Sequence, residues 1–166
     1  MNVDVASATV AGLKEAGIDF VASLPSSVFM TVIPAVQDDP AFTHVEVTNE
    51  GDGVSICVGA RLGGKRPALL AENSGLVLGA YALKSMENFG GIPILLVLDH
   101  RGDFGEGDGY WYFSTGRIVS PLLEALQIPF TIVDETAGVA DAIVRGSRTV
   151  EASRRPAAVL LGAGVK

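Results

Sequence analysis

Chemistry-bearing residues are scarce in this chain of 166 residues: one cysteine and two histidines, with no Asn-Asn pair anywhere. Cys57, alone and in an apolar run, cannot form an internal disulfide and reads as a buried thiol in a reducing compartment. His44 and His100 lie far from each other and from Cys57, so no metal-ligand cluster is expected. Basic residues number 12 against 19 acidic ones, for a net charge of −7, and none of them cluster. Nucleic acid and anionic membranes are therefore not expected partners. The longest apolar run, Ile92 to Leu98, is far too short to span a bilayer. Residues 1–17 lack a basic start followed by an apolar block, so no secretory signal is read and a cytoplasmic protein is expected. A phosphate-binding loop is missing, because Gly64-Lys65 is followed by Arg66, and no G-x-G-x-x-G follows an expected strand. Charged residues make up only 19% and hydrophobic ones 48%. So apolar a surface is expected to be covered in part by a partner.

What is present is an alternation of helix-like and strand-like segments, with no linker or repeat. Residues 3–16 read as a helix with Val5, Val10 and Leu13 on one side and Gly17 as its stop. Asp19–Leu24 reads as a strand, and Ser26 or Ser27 can cap a helix running to about Gln37. A strand at Thr43–Thr48 leads to Asn49, which caps a glycine-spaced helix to about Leu62. Strand 66–71, a helix to about Asn88 and strand 92–98 follow. The last of these is apolar on both faces, as in the centre of a parallel sheet. Residues 102–113, glycine- and aromatic-rich, read as a loop. A helix near 115–126, a strand at 129–133, a helix at 135–153 and a strand at 156–161 end the series. This pattern predicts one domain over 1–166, a three-layer, doubly wound α/β fold with a parallel six-stranded sheet and helices on both faces.

Such folds collect ligands at the carboxyl ends of their strands. Pro25-Ser26-Ser27, Asn49-Glu50, Asn73-Ser74-Gly75 and Asp99-His100-Arg101 all fall there. Glu50 opens a helix that is otherwise small and apolar. A carboxylate there is tuned by its dry surroundings, or it simply serves the helix dipole together with Asp52. Gly51, Gly53, Gly59, Gly63 and Gly64 each cost about 1 kcal/mol against alanine in a helix, which points to close backbone approach. Asn73-Ser74-Gly75 is either a turn with an N-cap or a holder of a polar ligand. Arg101 suits a carboxylate, with His100 beside it, unless the pair belongs to a solvated loop. Tyr110-Trp111-Tyr112-Phe113 are read as a satellite core, a partner contact or a pocket lid.

Taken in order, these residues resemble the pyrimidine-binding (PYR) domain of thiamine diphosphate enzymes. The similarity is nearest to the alpha subunit of sulfopyruvate decarboxylase and the matching part of phosphonopyruvate decarboxylase. It rests on Leu24-Pro25-Ser26-Ser27, on Asn49-Glu50 leading into Gly53 to Ala60, and on Gly64 to Leu70. It continues through Glu72-Asn73-Ser74-Gly75-Leu76, Ile92-Pro93, His100-Arg101-Gly102 and Gly116-Arg117. The resemblance implies a thiamine diphosphate-dependent 2-keto acid decarboxylase. Glu50 would be the catalytic glutamate that hydrogen-bonds N1′ of the aminopyrimidine ring, promoting the imino tautomer that takes the thiazolium C2 proton. The resulting ylid attacks a 2-keto acid, and the cofactor serves as electron sink for loss of carbon dioxide. Pro25, Asn73, Ser74, Gly75 and Leu76 would bind cofactor, while Ser26, Ser27, His100, Arg101 and Trp111 would face substrate.

The triplets Gly51-Asp52-Gly53 and Gly107-Asp108-Gly109 look like the start of the family's magnesium–diphosphate motif, but the closing Asn-Asn is absent. The implied arrangement is a hetero-oligomer, with a separate subunit carrying the diphosphate-binding domain and Mg²⁺ and the cofactor between the two chains. Two departures stand out. Leu76 is followed by Val77-Leu78-Gly79 rather than Gly-Asn, and the region before Gly116-Arg117 is aromatic where the family tends to carry a polar pair. They imply a bulkier, more apolar pocket, and with it a larger 2-keto acid or an acetolactate synthase-like carboligation. A non-catalytic structural or regulatory subunit and a flavin- or nucleotide-binding domain are the other readings.

Overall fold

The computed structural model describes residues 4–86, 90–107 and 109–165. Six strands, β1 (Phe20–Ser23), β2 (Thr43–Glu46), β3 (Pro67–Glu72), β4 (Leu95–Asp99), β5 (Phe130–Val133) and β6 (Ala157–Leu161), form one sheet in the order β2-β1-β3-β4-β6-β5. Every pairing is parallel. The helices are α1 (Val5–Glu15), α2 (Val32–Gln37), α3 (Glu50–Leu62), α4 (Leu76–Ser85), α5 (Tyr110–Thr115), α6 (Val119–Ala125) and α7 (Val139–Ser153). The expected α/β architecture is what forms.

Strand alternation splits the core in two. Val21, Leu70, Val97 and Val159 point to the face covered by α1, α2 and α7. Ala22, Leu69, Leu96 and Leu160 point to the face covered by α3, α4 and α6. The central strands β3, β4 and β6 are buried almost throughout, which is why they read as continuous apolar runs. The chain leaves β1 through α2 on one face to reach β2, then crosses the other face through α3 to reach β3. A crevice therefore opens between β1 and β3 at their carboxyl ends, the switch point where open α/β sheets bind ligands.

Three expectations need correction. The segment expected to be a loop over 102–113 becomes helical at Tyr110. That helix is tied to the preceding turn by two close backbone approaches: a Cβ on Gly102 would collide with the Tyr112 carbonyl, and one on Gly116 with the Arg101 carbonyl. The helix expected near 115–126 is broken into the end of α5, a 3-10 turn at Gly116–Ile118, and α6. The helix expected from Ser26 or Ser27 starts only at Val32. Ser26 Oγ does accept the Phe29 N–H, at 3.4 Å, but it caps a turn. The expected start of α1 at residue 3, the end of α4 at Asn88 and Asp108 of the second G-D-G lie outside the described residues.

Candidate active site

Glu50 occupies the first helical position of α3. Asn49 is the N-cap, its Oδ1 accepting the Asp52 N–H at 2.9 Å. Asp52 is exposed and accepts from Thr48 Oγ1 at 2.8 Å and Asn49 Nδ2 at 2.7 Å. The N-cap is thus Asn49, with Asp52 held beside it by the Thr48 and Asn49 side chains. The Glu50 side chain turns inward instead and is only 5% exposed. Its carboxylate lies against Gly75, where any Cβ would collide with it. Burial, followed by the negative charge of Glu72, raises its pKa above the ordinary carboxylate value. A carboxyl group that keeps its proton more readily in a dry setting can share one with a ring nitrogen.

The turn that walls Glu50 is itself held from below. Asn73 is fully buried; its N–H donates to Asp99 Oδ1 at 3.2 Å, and its Nδ2 donates to the carbonyls of Arg101 at 3.0 Å and Gly116 at 3.2 Å. Asn73 Oδ1 is buried without a protein partner. Ser74 Oγ donates to Glu72 Oε1 at 2.8 Å. Across the switch-point crevice, Ser26 is buried near Asp99 and favours its ionised form, while Arg101 Nη2 donates to the exposed Ser27 Oγ at 3.1 Å. His100 is buried, its Nε2 is 2.7 Å from Asp103 Oδ2, and its Nδ1 has no protein partner.

The structure thus gathers Ser26, Ser27, Glu50, Asn73, Ser74, Gly75, His100 and Arg101 at one sheet edge. Leu76 is different: it is fully buried in the apolar cluster under α3 and α4. Pro25 is exposed at the end of β1. Trp111 is 53% exposed on α5, flanked by the rings of Tyr110 and Tyr112 at 5.2 and 5.9 Å.

Two carboxylates of these strand-end turns that were given no role of their own join the group. Asp99 and Glu72 sit side by side as register partners at the ends of β4 and β3. Asp99 is 1% exposed, and burial pushes its pKa up to about 6, against Ser26, Asn73 and the Arg101 charge, which favour ionisation. Two surface clefts of about 670 Å³, lined by residues such as Arg66, Arg148, Arg61 and Arg154, lie at the opposite, amino-terminal edge. Converging buried polar groups, not cleft volume, mark the candidate site.

The residues present suit the aminopyrimidine end of thiamine diphosphate: a buried carboxyl of raised pKa, an unsatisfied buried amide oxygen, and a glycine that leaves room beside them. Among the described residues, no group of three or more His, Cys, Asp or Glu could hold a metal ion.

Comparison with solved structures finds the same fold in 2-oxoglutarate:ferredoxin oxidoreductase from Magnetococcus marinus (TM-score 0.72, 20% identity), matching 98% of this chain and 29% of that one. The likeness shows a shared fold, a parallel α/β domain. No family model matches the sequence. Curated relatives narrow the class. The sulfopyruvate decarboxylase alpha subunit of Methanothermobacter thermautotrophicus is 41% identical over 130 residues, 78% of each chain. That of Methanococcus maripaludis is 36% identical, over 77% of this chain and 76% of the relative. Phosphonopyruvate decarboxylase of Streptomyces viridochromogenes is 33% identical over 76% of this chain and 32% of its own length. The chain belongs to the family of sulfopyruvate decarboxylase alpha subunits.

Proposed function

We propose that this chain is the PYR subunit of a two-subunit, thiamine diphosphate-dependent 2-keto acid decarboxylase, with Glu50 as the activating carboxylate. The observation that carries the reading is the inward, buried Glu50 carboxyl at the mouth of α3, against Gly75 and with its pKa raised by burial. When bound, thiamine diphosphate supplies the carbanion-stabilising chemistry of decarboxylation. The residues of this chain do the rest. Glu50 holds a proton at N1′ of the aminopyrimidine, and the Asn73–Gly75 turn shapes the surface beside it. Arg101, next to Ser27, binds the substrate carboxylate, and His100 lines the same edge.

The partner subunit contributes the diphosphate-binding domain and the Mg²⁺ ligands. Its docking is supported by the apolar surface beside the site: Ile56 on α3, and Val77, Leu78 and Tyr81 on α4, are all exposed. The proposed compartment is the cytoplasm, in keeping with the lone, buried Cys57; among the described residues, no helix is long and apolar enough to cross a membrane.

The test is reconstitution. The chain, co-purified with a partner that carries G-D-G and a following Asn-Asn, is supplied with thiamine diphosphate, Mg²⁺ and a panel of 2-keto acids. Carbon dioxide release is expected, and Glu50→Gln should lower it by orders of magnitude while assembly persists. Wild-type turnover in the Glu50→Gln complex would overturn the assignment. Product mass separates decarboxylation from carboligation in the same run.

A further inference from the structure

Resting on the reading of Glu50 just given, we infer that Asp99 is a positioning residue, a buried carboxylate clasp that fixes the turn walling the activating glutamate. The turn after β3 is held on this one side chain: the Asn73 N–H stands 3.2 Å from Asp99 Oδ1. Ser26, on the turn after β1, lies near enough to favour the ionised form of Asp99, and its own hydroxyl oxygen accepts the Phe29 N–H.

The tie reaches Glu50 through two residues. Asn73 is locked by three hydrogen bonds, one of them to Asp99, and Gly75, two positions on, abuts the Glu50 carboxylate with no room for a Cβ. A small shift of the turn moves the wall and with it the carboxyl group. Displacements of about 1 Å in a supporting element can cost on the order of a hundredfold in rate. The charged groups facing Asp99 are Glu72, its neighbour across the sheet, and Arg101, on the turn that follows it. An ionised Asp99 is the better acceptor for the Asn73 N–H, and burial brings its titration up to about pH 6, within reach of experiment.

The test compares Asp99→Asn, which keeps an acceptor oxygen without charge, with Asp99→Ala, which removes it. In the full chain alone, the Asn73 amide is expected to be protected from hydrogen exchange in wild type and Asp99→Asn, and to exchange roughly tenfold or more faster in Asp99→Ala. Its resonance should titrate near pH 6 in wild type and in Glu50→Gln, and lose that step in Asp99→Asn. In the assembled enzyme, Asp99→Ala should lower kcat about tenfold to a hundredfold with KM within about threefold, and Asp99→Asn should recover most of it at neutral pH. Equal Asn73 protection in all variants, or an unchanged kcat in Asp99→Ala, overturns the inference. If Asp99→Ala does not fold, Asp99→Leu, closer in volume and without an acceptor, takes its place, with the same loss of Asn73 protection and of kcat expected and unchanged values counting against the clasp. Should the assembled wild type turn over no 2-keto acid, the proposed function fails while the Asn73 measurements still judge the clasp.

Discussion

The buried carboxylates give the residue scale its clearest prediction, because burial and charge act on them in opposite senses. Asp99 has a folded pKa of about 6 against an ordinary 3.8. Between those values the native state holds a proton that the unfolded chain has released. Stability must therefore fall as pH rises from about 4 to about 6, and level off above. Two units at about 1.4 kcal/mol each set a ceiling of about 3 kcal/mol. Urea unfolding of wild type and Asp99→Asn at pH 4 and pH 7.5 checks it: the gap between the two pH values should shift in favour of pH 7.5 in the variant, which has no charge to bury. An identical pH dependence in both proteins would show that Asp99 is not the group that titrates. Glu50 was legible in the sequence because its oddity is local, a carboxylate heading an apolar, glycine-spaced helix. Asp99 and Glu72 were named with their turns but given no role, because their meaning comes from strand register. They face one another only once β3 and β4 pair, and no spacing along the chain announces that.

At the scale of the element, the glycines of α3 show how far a one-dimensional pattern carries. All five were read as marks of close approach, and two are. A Cβ on Gly51 would stand 2.9 Å from the Leu78 carbonyl oxygen, and one on Gly53 2.6 Å from Leu69 Cδ1. Gly63 closes the helix, and Gly64 takes a φ of +88° just beyond it. Gly59 meets nothing within 4 Å, although it lies on the same helix. Sequence could not separate them, because which side of α3 meets α4 is decided by the tertiary fold. Two opposite outcomes follow. Gly51→Ala presses a methyl group into rigid backbone and should destabilise the chain by about 1–3 kcal/mol. Gly59→Ala should stabilise the isolated chain by up to about 1 kcal/mol, through helix propensity alone. Thermal unfolding of both variants decides the matter, and destabilisation by Gly59→Ala would show that its face is packed. Helix α5 was missed for a related reason. Its four adjacent aromatics show no 3.6-residue periodicity, and what holds them is the backbone fit at Gly102 and Gly116.

On the scale of the whole molecule, the alternating pattern was enough to specify a parallel sheet of six strands, because buried strands and crossover helices leave few other arrangements. It also anticipated a surface richer in apolar groups than an isolated chain needs. The structure puts part of that surface on α3 and α4, next to Glu50. Tyr81 is 84% exposed and Leu78 64%, with Val77 and Ile56 alongside. If the partner subunit completes the active site, this face has to be covered, since the cofactor would bridge two chains at the mouth of α3. A stable interface buries roughly 800 Å² on each partner, and a carboxylate forced unpaired into its dry centre costs several kcal/mol. Leu78→Asp combined with Tyr81→Asp should therefore weaken assembly by at least about a hundredfold. Because both side chains are exposed in the chain itself, its own unfolding midpoint should hardly move. Ile132→Asp, on edge strand β5 at the far side of the sheet, is the matched control and should assemble normally. Co-purification and light scattering of the two complexes read the outcome directly. Full assembly of the double variant would move the interface elsewhere, and would leave the apolar face beside Glu50 needing a different occupant.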